Sequence, residues 1–326
     1  MARVPAFLIT IDTEGDNLWS GPATITTENS RFLERFQRLA ERYGLLPTWL
    51  TTHEMAQCQT YSAFAKDYLH RGTGELGMHL HAWNSPPLDH TLSSNDSHAL
   101  PYLIEYPAEV MQQKITHLTD LLQSRFGTRP RSHRAGRWAM DARYAKSLAA
   151  NGYIADCSVT PGVSWRHFQG DPNGNGGTDY RRFPNRPYRM DVDHIDREDD
   201  DSPLWEIPVT IVQGPGKKFE RVVEHLPPLA RKAANRLLPP AHWLRPNGRN
   251  LDSMLSILDL ALEENHPCVT FMLHSSELMP GGSPKFASVE SIEKLYSDLE
   301  VLFGAASSSF RGATLTAFTQ SLDSSQ

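Results

Sequence analysis

The feature that most constrains the fold is an alternation of short apolar runs with segments of helical spacing. Phe7 to Ile11 reads as a strand. Ser30 to Tyr43 carries Phe32, Leu33, Phe36, Leu39 and Ala40 on a helical period and stops at Gly44. Leu46 to Thr51 and Glu75 to His81 read as strands on either side of a helix over Tyr61 to Arg71. Pro107 to Phe126 reads as an amphipathic helix opened by proline and closed by Gly127, and Asp141 to Ala150 as another. Strands recur at Tyr153 to Ala155, Leu204 to Val212 and Cys268 to Leu273, helices at Leu251 to Glu264 and Ser288 to Phe303. Repeated β-then-α units without a sequence repeat predict an α/β fold on a parallel sheet, open or closed into a barrel.

Two segments break this rhythm. The stretch of about 160–203 is rich in Gly, Asn, Asp and Pro and is too long for a simple connection. A basic insertion of about 226–248 carries Arg231, Lys232, Arg236 and Arg245 among Leu226, Leu229, Leu237, Leu238, Trp243 and Leu244. Both are read as lying at the open face. The insertion is expected to pack on the barrel with its charges in water; the alternative is peripheral contact with an anionic membrane. No linker divides the chain, so 1–326 reads as a single domain.

Hydrophobic content of 39% in 326 residues is enough for a substantial core, and a net charge of -6 argues against nucleic-acid binding. No run is long and apolar enough to span a bilayer, and Met1 to Pro5 shows no signal-peptide pattern. Cys58, Cys157 and Cys268 are widely separated, which fits reduced thiols and a cytoplasmic location.

The strand at Phe7 ends in Asp12-Thr13-Glu14, and period-two alternation puts both carboxylates on one face. Two like charges there are costly unless a cation or a reaction uses them. Met78-His79-Leu80-His81 places two imidazoles on one face in the same way. One carboxylate with two imidazoles is a usual ligand set for catalytic zinc; the alternative is a satisfied histidine pair at a strand end. An apolar strand delivers His274 at its C-terminal end, as a catalyst or as a structural histidine, and Ser275-Ser276 lacks the turn of a nucleophilic serine. In Ser132-His133-Arg134-Ala135-Gly136-Arg137-Trp138, Arg134 could hold a carboxylate or lie on the surface with its stem on Trp138. Trp83, Trp138 and Trp165 could face a sugar ring or belong to the core, and Glu198 to Asp201 reads as a solvated loop.

In this order, Ile11-Asp12-Thr13-Glu14, Glu75 to Trp83, His133 to Trp138, Asp156-Cys157-Ser158 and Leu273 to Leu278 resemble the polysaccharide deacetylases of the NodB-homology type, carbohydrate esterase family 4. The closest likeness is to a bacterial surface-polysaccharide branch, the WalW-like proteins, over about Phe7 to Phe318. The resemblance implies a distorted (β/α)7 barrel and a divalent metal ion, usually Zn2+, held by one acid and two histidines. It implies removal of N-acetyl groups from an amino sugar in a surface polysaccharide, a lipopolysaccharide or its lipid-linked precursor.

Two positions depart from the family pattern: Thr13 stands where a second adjacent acid is common, and Trp83 stands four residues after His79. The expected ligands are therefore Glu14, His79 and His81. The resemblance further implies Asp12 as general base, His274 as general acid, Arg134 as the group that orients Asp12, and Asp156 as the group that sets the protonation of His274. The competing functions are hydrolysis of a non-sugar amide, such as a ureide or imide, and metal-free glycan binding.

Overall fold

The structure is a computed structural model that describes residues 4–18, 24–88, 101–168, 170, 175–219, 222–223 and 225–324. Its main sheet is built from β1 (Ala6–Thr13), β2 (Pro47–Thr51), β3 (Glu75–Leu80), β4 (Ser132–Ala135), β5 (Ala155–Asp156), β6 (Tyr188–Arg189) and β7 (Trp205–Glu206). A two-stranded ribbon of β8 (Ile211–Gln213) and β9 (Ala241–Trp243) precedes β10 (Cys268–His274) and β11 (Arg311–Ala313). The order is β10-β1-β2-β3-β4-β5-β7-β6, and every pairing but β6 with β7 is parallel. β10 pairs β1 along Ala6 to Asp12, so β11 and β2 share the opposite edge, at Ala6 to Leu8 and Ile9 to Thr13.

The sheet curls into the distorted α/β barrel that the family resemblance implies, and the distortion has a location. Between β7 and β10 there is no ladder. Three backbone hydrogen bonds span the seam: Thr210 N to Thr270 O at 3.2 Å, Leu244 N to Thr210 O at 3.0 Å and Met272 N to Leu244 O at 3.2 Å. The run read as one strand from Leu204 to Val212 is therefore two, β7 and β8, in different sheets. Pro208 lies between them and has no N–H for a ladder.

All eight residues of β1 are buried, as a strand covered on both faces must be. Phe7, Ile9 and Ile11 point outward, where Phe7 packs on Phe303 of the helix Val289–Ser309 with ring centroids 6.0 Å apart. Ala6 and Leu8 point inward with Leu50, Ala155, Cys157 and Trp205. Each such large apolar side chain contributes about 1.5–3 kcal/mol on burial. The inward parity of Ala6 and Leu8 continues to Thr10 and Asp12, so core packing on one face of β1 dictates which way the acid points. The outer helices include Leu33–Arg42, Gln59–Arg71, Ala108–Phe126, Ala142–Ala150 and Leu251–Glu263. Asp141 caps Ala142–Ala150 by accepting the Tyr144 N–H at 2.9 Å.

The basic insertion packs as expected only in its second half, where Leu244 is buried in the core with Ala241 and Trp243 against it. It forms a helix over Pro228–Leu237 that leaves Leu229 and Leu237 in solvent, while Arg245 turns back into the barrel mouth. The side chains of Lys232 and Arg236 lie outside the described residues. Glu198 to Asp201 is exposed, and the three cysteines are free. Among the described residues no helix is long and apolar enough to cross a membrane.

Candidate active site

The C-terminal ends of β1, β3, β4 and β10 meet around a cavity of about 420 Å³, where parallel α/β folds gather functional groups. Asp12 and His274 are register partners on β1 and β10, which brings His274 Nε2 to 3.6 Å from Asp12 Oδ2. His79 is the register partner of Arg134 on β3 and β4. Arg134 is fully buried and reaches inward, donating to Asp12 Oδ1 at 2.5 Å, Thr10 Oγ1 at 2.7 Å and the Cys157 carbonyl at 3.0 Å. A buried guanidinium needs such partners, and here they fix the Asp12 carboxylate with Oδ2 left toward the cavity.

Glu14 follows β1, and its backbone is pinned from both sides. Ser275 Oγ accepts the Glu14 N–H at 3.0 Å, and Asn29 Nδ2 donates to the Glu14 carbonyl at 2.8 Å. Ser275 thus has a positioning role and not a nucleophilic one. The Glu14 carboxylate lies between the imidazoles, with Oε2 2.9 Å from His81 Nε2 and 3.6 Å from His79 Nε2. His79 Nδ1 is 2.9 Å from the Arg134 carbonyl, so it carries the proton and leaves Nε2 as the free lone pair. His81 Nδ1 is buried without a partner against Gly136, where an added Cβ would come within 2.7 Å; only glycine leaves the ring its place.

Donor atoms of Glu14, His79 and His81 all lie within 4.8 Å of one another, and all three residues are buried. One carboxylate oxygen and two outward-facing imidazole nitrogens are the donor chemistry a divalent cation such as zinc takes. The set therefore fits the ion the sequence implies. Asp12 stands outside it, with Oδ2 4.0 Å from His79 Nε2 and Oδ1 committed to Arg134.

The electrostatics agree with a pair of ionised acids. Burial pushes the Asp12 carboxyl up, but Arg134, His79 and His274 outweigh it and hold the group below its ordinary range. Burial also opposes ionisation of Glu14, and His274, His79 and His81 overcome it by a wide margin. Burial lowers His81, whereas Asp12 and Glu14 raise His79 against its burial.

Asp156 is not where the sequence reading puts it. It sits against His133, with Oδ1 2.6 Å from Nδ1, and also accepts from Ser158 N and Oγ at 2.9 Å each. Strand parity is the reason. Ala155 and Cys157 point inward, so Asp156 points outward, beside its register partner His133 and under Tyr144. The carboxylate that faces His274 is Glu277, with Oε2 3.3 Å from Nδ1 and accepting the His274 N–H at 3.0 Å. Arg245 Nη2 lies 2.8 Å from His274 Nδ1 and donates to both Glu277 oxygens at 3.1 Å. Burial would raise Glu277, but Arg245 and His274 hold it far below the ordinary carboxylate range. Sequence reasoning missed both partners. The spacing of a capping box, His274 to Glu277 across one turn, is the signal that could have found Glu277. Nothing local marks Arg245.

The cavity walls are aromatic: Trp83, Tyr102, Trp138, Trp165 and Phe168. Trp138 and Trp165 lie nearly parallel, at 9° with centroids 6.4 Å apart, and Trp165 and Phe168 come from the long loop. Arg137 and Trp138 adopt φ of 53° and 60°, an uncommon conformation for non-glycine residues, held by Tyr180 Oη donating to the Trp138 carbonyl at 2.5 Å. A larger cavity of about 580 Å³ lies along the seam near Thr210 and Ile257, and contains none of the residues the sequence singles out.

No known family model matches the chain, and no curated protein sequence does. Solved structures do. A Mycobacterium smegmatis protein assigned as a polysaccharide deacetylase is 12% identical, with a TM-score of 0.54 over 100% of this chain and 95% of that one. A 4-alpha-glucanotransferase from Thermococcus litoralis matches at 12% identity and TM-score 0.53, over 98% of this chain and 40% of that one. A GH57 branching enzyme from Thermococcus kodakaraensis matches at 11% identity and TM-score 0.52, over 98% and 71%. At these identities the likeness is one of fold: the chain has the barrel of a polysaccharide deacetylase, which is also the barrel of two enzymes named for glucan transfer and branching.

Proposed function

We propose that this chain, as one catalytic domain over 1–326, is a metal-dependent hydrolase. Its substrate is an N-acetylated amino sugar of a bacterial surface polysaccharide, lipopolysaccharide or lipid-linked precursor, and its product the free amine. One observation carries the reading: Asp12 held by Arg134, the Glu14-His79-His81 donor set and His274, whose Nε2 lies 3.6 Å from Asp12 Oδ2, face the same aromatic-walled cavity. Because fold does not decide chemistry, the donor set is what favours amide hydrolysis over glucan transfer. The nearly parallel faces of Trp138 and Trp165 favour a sugar over a small ureide or imide.

When bound at Glu14, His79 and His81, a divalent cation, most favourably zinc, supplies Lewis acidity to an acetyl carbonyl and makes water acidic near neutral pH. Asp12 takes the proton of the attacking water through Oδ2, since Oδ1 is held by Arg134. His274 enters this step as the imidazolium, its Nδ1–H turned to Glu277, and delivers the Nε2 proton to the departing nitrogen, which leaves a neutral ring. The carbonyl carbon gains the water oxygen, the C–N bond breaks, and acetate and an amine leave.

The test is acetate release from N-acetylglucosamine oligomers, with chelator and with zinc restored. Release that stops with chelator and returns with zinc is expected. Chelator-insensitive release contradicts the metal mechanism. Turnover of cyclic amides alone would move the substrate class, and glycan binding without any release would make the protein a lectin-like relative.

A further inference from the structure

Five of the large hydrophobic side chains left exposed among the described residues fall within one stretch of the chain: Phe219, Val222, Leu229, Leu237 and Leu238. The helix Pro228–Leu237 organises them. At about 100° per residue, Leu229, Ala230, Ala233 and Leu237 share one side and Arg231 stands on the other. A helix packed on a protein turns such an apolar stripe inward. Here the stripe faces out, with Leu229 at 83% and Leu237 at 80% exposure.

The charge around it is equally one-sided. After Glu220 and Glu224, positions 225–249 hold neither Asp nor Glu, and besides Arg245, which is turned into the cavity, they carry Arg231, Lys232, Arg236 and Arg249, in a chain whose net charge is -6. The excursion is also built, not loose. Gly214 N donates to the Pro240 carbonyl at 2.9 Å and Gly216 N to the Pro239 carbonyl at 3.2 Å, which closes the base of the helix. At Gly216 an added Cβ would come 2.0 Å from the Leu238 carbonyl, so that closure requires glycine. The chain then enters β9, where Trp243 packs edge-on against Trp138 and Trp165 of the cavity wall, at 6.2 and 6.5 Å.

We propose that this helix docks on an anionic lipid bilayer, its leucines in the acyl boundary and its basic residues among the headgroups. An exposed apolar stripe on a helix whose sequence carries Arg231, Lys232 and Arg236 and no acid is complementary to that partner in both respects. A second copy of the chain is not: a two-fold contact would bring like charges together. The anchor adjoins the cavity wall through β9 and would hold the pocket at the membrane surface.

Vesicle flotation tests this without metal or turnover, so its result stands whichever way the acetate assay falls. Wild-type protein is expected to float with equimolar phosphatidylcholine–phosphatidylglycerol vesicles and to bind pure phosphatidylcholine roughly tenfold more weakly or less. Raised salt should release it. The double variant L229E/L237E changes only solvent-facing side chains, and should lose flotation while keeping its circular dichroism spectrum. R231E should weaken binding to the anionic vesicles alone. Failure of the wild type to float, or flotation that survives L229E/L237E, would overturn the proposal. So would a sedimenting dimer that the same double variant dissolves.

Discussion

Two histidine–carboxylate pairs occupy opposite faces of the same sheet, and only one of them lines the cavity. His133 is fully buried on the outer face, with Nδ1 on Asp156 at 2.6 Å and Nε2 on the Tyr144 hydroxyl at 2.8 Å, so both ring nitrogens are spent. On the inner face His274 has its Nδ1 beside Arg245 and Glu277. Its Nε2 stands at the cavity, 3.6 Å from Asp12 and 3.8 Å from Glu14. The contrast shows that a carboxylate beside a histidine does not mark a reactive residue. What separates the two is the face of the sheet: the His274 ring lines the cavity and the His133 ring does not.

Substitutions can break or sharpen this contrast. Asp12→Asn and His274→Ala should each lower kcat by about 10²–10⁴-fold while bound metal is retained, read by acetate release alongside elemental analysis. Asp156→Ala should do the reverse: turnover per folded molecule stays within a few-fold, while stability falls by about 3 kcal/mol because His133 and the Ser158 N–H lose their buried acceptor. Denaturant melts and specific activity separate the two, and a kcat loss in Asp156→Ala matching that of His274→Ala would end the distinction.

Glu277→Gln should cost roughly tenfold in kcat with KM little changed, since it loosens the hold on His274 but touches no substrate. An unchanged kcat would mean that Arg245 alone positions the ring.

The smallest effect concerns pH. Burial and the neighbouring Asp156 push Glu206 well above its ordinary value. A carboxyl raised in the folded state stabilises fully below its unfolded pKa of about 4.3, and that stability drains as pH rises toward the folded pKa, by at most about 1.4 kcal/mol per pH unit. Glu206→Gln, which mimics the protonated acid, should flatten this slope in melts run from pH 5 upward. A variant as pH-dependent as the wild type would show that Glu206 is already ionised.

The inner-face residues were legible because their signal is local. Asp12 with Glu14 and His79 with His81 stand two apart on strands, and period two puts each pair on one side whatever the rest of the chain does. Helix positions were legible for the same reason, with ends shifted by a few residues. The run Leu204 to Val212 misled because apolar content does not reveal that one strand has become two in different sheets. Asp156 misled for a related reason. Its sequence position beside Cys157 and Ser158 suits a site residue, but its face depends on register with His133.

By itself, the sequence determined that this chain would lay down parallel strands whose ends carry two acids, two imidazoles and a further histidine, while Arg134 stayed open between a carboxylate and the surface until β4 placed it. Only the tertiary structure decided which carboxylate serves His274, that Arg245 returns from the basic insertion to hold it, and that Leu229 and Leu237 are left in solvent. These depend on strand register and on which surfaces remain uncovered once the barrel closes. Both are properties of contacts between residues distant in the chain, and no local pattern records them.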